Sequence, residues 1–66
     1  MKVVVNGESR DVPAGSTISQ MLSHLGLNAG RVAIERNLEI LLRAQWESTR
    51  ADEGDRFEIV QLVGGG

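Results

Sequence analysis

Arg56-Phe57-Glu58-Ile59-Val60-Gln61-Leu62-Val63-Gly64-Gly65-Gly66 is the stretch around which the rest of this sequence is organised. Successive side chains of an extended chain point to opposite faces. Phe57, Ile59 and Gln61 therefore share one face, and Glu58, Val60 and Leu62 share the other. It is the most apolar strand candidate of the chain, with apolar residues on both faces, as suits a central place in a sheet. Three glycines come directly after it. Without a Cβ they form an arm thin enough for a narrow cleft and free to take almost any backbone angle.

Working outward, Asp52-Glu53-Gly54-Asp55 is a dense turn signal in front of this strand. At the other end of the chain, residues 2–5 are a β-branched run after Lys2. Asn6-Gly7 is next, a strong hairpin signal, because both central residues of a type I′ turn need positive φ. Residues 8–12 read as the return strand, ended by Pro13, which cannot donate to a ladder.

Ser16 or Thr17 caps the next element, and Thr17 with Gln20 matches a capping box. Ile18, Met21, Leu22 and Leu25 form one apolar stripe of a short helix. Gly26 is its expected left-handed stop, with Leu27 as the hydrophobic partner beyond. A helix this short is marginal alone and must pack on a sheet. Residues 28–31 read as a loop and residues 32–36 as a third strand with Val32 and Ile34 on one face. Asn37-Leu38 is a turn, Glu39 to Leu41 a short fourth strand. Residues 42–46 read as an irregular or 3₁₀ turn, with Trp46 partly covering the core edge.

The order β-β-α-β-β-β implies an α+β fold: a β-grasp, one mixed sheet of four to five strands around one helix. The last strand is expected beside the first, in the centre. Phe57 and Ile59 then face the helix, while Val60 and Leu62 face outward. The organisation predicted is a β-grasp domain over residues 1–63 and a flexible reactive tail over residues 64–66.

Sixty-six residues make one domain at most, burying only about 60% of the surface of the unfolded chain. With one Trp, one Phe and no Tyr, the core must be aliphatic. The absence of cysteine excludes disulfides, thiolate clusters and a cysteine nucleophile. It also fits a cytoplasmic protein. A formal charge of −2 with mixed signs argues against phosphate-driven nucleic-acid binding. No apolar stretch is long enough to span a membrane. His24 lies on the polar flank of the helix with no second histidine or cysteine near it, and reads as a solvated side chain. Asp52, Glu53 and Asp55 read as a turn, since they lack the length and ligand pattern of a calcium loop. Gly15-Ser16-Thr17 reads as plain capping.

Taken together, Val5-Asn6-Gly7-Glu8, Gly15-Ser16-Thr17-Ile18, Val32-Ala33-Ile34-Glu35-Arg36-Asn37, Arg43-x-x-Trp46, residues 52–60 and Val63-Gly64-Gly65-Gly66 resemble the ubiquitin-like sulfur carriers, and among them the ThiS family of thiamine biosynthesis. The resemblance covers the whole chain. Two departures lie far from the tail: Asn37-Leu38 lacks the glycine often found after this asparagine, and Leu42 stands where these carriers often have proline.

The resemblance implies a covalent carrier that is not itself an enzyme and binds no cofactor. The Gly66 carboxylate would be adenylated by a ThiF-like enzyme using ATP and magnesium. A persulfide donor of a cysteine desulfurase system would then convert it to a thiocarboxylate. A ThiG-like thiazole synthase would receive the sulfur. Relatives with the same ending serve molybdopterin or cysteine synthesis, or modify proteins, and these remain the alternatives. Gly64 and Gly65 would thread the arm, which reaches roughly 10 Å when extended. Ordering them costs about 1–2 kcal/mol per residue, so the body needs a docking surface. Val60, Leu62 and Val63 are the candidates, with Val4 beside them.

Overall fold

The computed structural model describes residues 1–27 and 29–62. Among these described residues five strands form one sheet: β1 (Lys2–Val5), β2 (Glu8–Asp11), β3 (Val32–Arg36), β4 (Glu39–Leu41) and β5 (Arg56–Gln61). The α-helix α1 (Ile18–His24) lies between β2 and β3 in the chain. The strand order is β2-β1-β5-β3-β4. β5 is thus central, parallel to β1 and antiparallel to β3. This is the β-grasp expected from the sequence, with all five strands present.

The local signals act where they were read. Asn6 and Gly7 have φ of 51° and 83°, both positive as a type I′ turn demands. Thr17 is the N-cap of α1. Its Oγ1 accepts from the Gln20 amide at 3.2 Å, and the Gln20 side chain accepts from the Thr17 amide at 2.9 Å. At the other end, Gly26 has φ 74°, its amide donates to Ser23, and the Leu27 amide donates to Leu22. That pair of bonds is a Schellman motif, which satisfies carbonyls the helix would otherwise leave open. β2 ends one residue earlier than expected. Val12 leaves the ladder to enter the core, while its amide donates to the Met1 carbonyl at 2.9 Å.

Ile18, Met21 and Leu22 of α1 pack on Val3, Val5, Val32, Ile34, Phe57 and Ile59 from the inner sheet face. Leu25 and Leu27 close the margin. Trp46 corrects an expectation. It does not merely cover the core edge but lies within the core, only 4% exposed, and its Nε1 donates to the Leu41 carbonyl at 3.1 Å. The 3₁₀ turn Arg43–Gln45 swings it inward, and the Arg43 guanidinium sits over its ring, 5.0 Å from the centroid. A large apolar body with one polar handle is buried cheaply when that handle finds a carbonyl. Among the described residues no helix is long and apolar enough to cross a membrane.

Candidate functional site

The candidate site is the end of β5 together with the four residues beyond Leu62. Those four, Val63, Gly64, Gly65 and Gly66, lie outside the described residues. The structure defines the platform that leads to them.

β5 is held on both sides, but unequally. On the β3 side the ladder runs from Arg36 opposite Phe57 to Val32 opposite Gln61. One more rung extends it, the Leu62 amide donating to the Arg31 carbonyl at 2.6 Å. On the other side β1 stops at Val5, opposite Phe57. The Asn6 amide still reaches the Phe57 carbonyl at 2.9 Å. The next rung is made by a side chain. Asn6 Oδ1 accepts from the Ile59 amide at 2.7 Å and Nδ2 donates to the Ile59 carbonyl at 3.0 Å. The Asn6 carboxamide thus copies one peptide unit of a missing strand and fixes β5 three residues before Leu62.

The start of β5 is fixed by charge. Asp55 is buried, and its carboxylate accepts from Arg36 Nε at 2.9 Å, Asn37 Nδ2 at 3.2 Å and the Asp52 amide at 2.8 Å. Arg36 also reaches Asp52 at 3.0 Å. Burial pushes the Asp55 carboxyl up. The bonds from the Asp52 amide, Asn37 and Arg36, with the Arg36 charge, outweigh it and hold the group below its ordinary value. In exchange Asn37 Oδ1 accepts from the Arg56 amide at 3.0 Å. The turn at residues 52–55 is therefore more than surface loop: it is tied to the β3–β4 turn. Sequence reading missed this, because Arg36 and Asp55 are far apart in the chain and neither carries a local motif for the pairing.

Of the expected docking residues, Val60 is 59% and Leu62 52% exposed, both on the outer side as expected, and Val4 is half-buried. The structure adds neighbours to them. Ala33 lies opposite Val60 in the ladder, and Ile40 of β4 lies opposite Glu35, which in turn faces Glu58. Ala33, Glu35, Ile40, Glu58 and Val60 line a shallow groove on the outer face. Ile40 is 75% exposed. Its outward placement was within reach of the sequence, since the alternation in Glu39-Ile40-Leu41 sets Ile40 and Leu41 on opposite faces. Only the sheet order places it beside Val60. His24 is exposed, and among the described residues no group of acidic, histidine or cysteine side chains is arranged to hold a metal ion.

The sequence model of the ThiS family matches residues 3–66, and so includes the glycine run. A thiazole synthase of Paramagnetospirillum magneticum is 42% identical over all 66 residues, which cover 20% of that protein. The sulfur carrier protein ThiS of Escherichia coli is 27% identical over the full length of both chains. The crystal structure of the thiamine biosynthesis protein ThiS from Geobacter metallireducens superposes with a TM-score of 0.84 at 32% identity, covering 100% of each chain. The chain thus spans about a fifth of the length of the thiazole synthase relatives, 20% in each of two.

Proposed function

This chain belongs to the ThiS family, and on that footing we propose that it carries sulfur for thiazole formation in thiamine biosynthesis, on the carboxylate of Gly66. A carboxylate is a poor electrophile, since its charge is delocalised and oxide is not a viable leaving group. It must first be activated. In the proposed sequence an oxygen of the Gly66 carboxylate attacks the α-phosphorus of ATP in the active site of a ThiF-like partner, and pyrophosphate leaves. The terminal sulfur of a persulfide then attacks the acyl carbon and AMP departs. A thiol then attacks the donor-side sulfur of the resulting acyl disulfide, forms a disulfide with the donor and releases the thiocarboxylate on Gly66. A ThiG-like thiazole synthase takes up that sulfur.

The protein's own part in this is presentation. Catalysis by positioning and electrostatics belongs to the partners, so the chain is a substrate in each step and not an enzyme. It works in the cytoplasm, and binds no cofactor of its own. Gly64 and Gly65 thread the arm, while Val60, Leu62 and Val63 face the partner. The observation that carries the reading is the family match through residue 66 on a chain whose central strand, clamped by Asn6 and Arg31, leads into the glycines. The thiazole synthase names of two relatives favour thiamine synthesis over molybdopterin or cysteine synthesis.

Intact-mass measurement of the protein isolated from its own cells tests this. Exchange of one oxygen for sulfur at Gly66 is expected. Conjugates to lysine would replace the carrier by a protein modifier, and an unmodified, ATP-inert protein would remove both. Deleting Gly66 is expected to abolish ATP–pyrophosphate exchange by the adenylating partner while thermal unfolding stays unchanged. Normal exchange by that variant would contradict the proposed site.

A further inference from the structure

Two rows of outward side chains cross the middle of the sheet. One reads Ile40, Glu35, Glu58 from β4 to β5; the next reads Ala33, Val60. Two glutamates thus stand directly opposite each other on neighbouring strands, and both are exposed. Like charges in that position oppose folding. Among the described residues no ion pair relieves them: the pairs join Lys2 to Asp11 and Arg36 to Asp52 and Asp55. Beside the two glutamates the small Ala33 leaves a trough between the exposed side chains of Ile40 and Val60. The face therefore combines two features that each disfavour the free chain: apolar surface in water and an acid pair with no ion-pair partner among the described residues. Both are relieved by the same object, an aliphatic stem that ends in a planar cation.

We infer that this groove seats an arginine of the adenylating partner, its stem lying over Ala33 between Ile40 and Val60 and its guanidinium bridging Glu35 and Glu58. Arginine suits the place better than lysine. Its fork can meet two carboxylates at once, and its weakly hydrated head is shed of water more easily. Val60 lines this groove and stands two residues before Leu62 in the chain, so the groove extends the docking surface of the carrier reading, on which this inference rests, from β5 across to the edge strand β4. An acidic pair on the docking face also speeds the first encounter of carrier and enzyme.

The test uses the full chain and the purified adenylating enzyme with MgATP. Glu35→Gln/Glu58→Gln is compared with Glu8→Gln/Glu47→Gln, which removes the same charge from exposed sites elsewhere. The first variant is expected to raise the melting temperature by about 1–5 °C, because cross-strand repulsion is gone. It is also expected to weaken binding by about tenfold and to flatten the salt dependence of Kd. The control is expected to change affinity less than about twofold, since charges outside the contact act only through the screened field. A more stable variant with unchanged Kd would overturn the inference, as would a control that weakens binding equally. Ile40→Ser, which leaves both charges in place, is expected to weaken binding without flattening the salt dependence; unchanged affinity there counts against the groove. If the wild-type chain is not adenylated at all, the carrier reading itself fails, and that result is visible before any variant is made.

Discussion

The Asn6 clamp offers the sharpest test of how β5 is held. The Asn6 side chain makes two bonds to Ile59, at 2.7 and 3.0 Å, across 53 residues of sequence. Its backbone sits at φ 51°, in the left-handed region that side chains other than Asn, Asp and Gly enter at a cost of about 1–2 kcal/mol. Asn6→Ala loses both bonds, at about 1 kcal/mol each, and adds about 1 kcal/mol of backbone strain. The expected loss is about 3 kcal/mol. A domain of this size has only about 3–10 kcal/mol in all, so the melting temperature should fall by about 12–24 °C. Asn6→Gly loses the same bonds but tolerates the turn, and should fall by only about 2 kcal/mol. Urea unfolding followed by the fluorescence of Trp46, the single and buried tryptophan, reports the order Asn, Gly, Ala. Amide exchange at Ile59 in the Gly variant should rise more than at Ile34, which lies opposite it in the β3–β5 ladder. An Ala variant within about 0.5 kcal/mol of wild type, or a Gly variant less stable than Ala, would refute the reasoning.

The same geometry sets three further outcomes. Asp55 has a folded-state value held below the ordinary carboxylate one, so its contribution is fully present above the unfolded value and is lost as pH falls through the lowered one. Asp55→Asn should therefore cost about 2–3 kcal/mol near neutrality, with the gap to wild type closing in urea titrations below about pH 4; a pH-independent gap would contradict the ionic part. Leu38 has φ 73° and is 90% exposed, so Leu38→Gly should stabilise by about 1 kcal/mol in thermal melts, and a lower melting temperature would argue against strain in that turn. Leu62→Arg should weaken binding to the proposed adenylating partner while the melting temperature moves by less than about 3 °C; unchanged affinity clears Leu62 of a docking role.

The elements that were legible in the sequence carry their cause within a few residues. Thr17 caps through Gln20, Asn6-Gly7 turns through its own φ, and Gly26 stops the helix with Leu27. The alternation of residues 56–62 is enough to set Val60 and Leu62 apart from Phe57 and Ile59. Trp46 was misjudged because a 3₁₀ turn leaves no periodic signal, so nothing local says which way its indole points. The Asp55 network escaped for a different reason. Asp52-Glu53-Gly54-Asp55 has the composition of a solvated turn, and only an arginine brought across from β3 makes one of its acids structural.

The candidate site divides along the same line. The residues alone determined an apolar central strand running into three glycines, because alternation and the absence of a Cβ are properties of the chain itself. Only the tertiary structure decided that Asn6 would stand in for a missing strand beside Ile59, or that Ile40, Ala33 and two facing glutamates would flank Val60. Those neighbours depend on strand order and register, and these are set by how the whole inner face packs on α1.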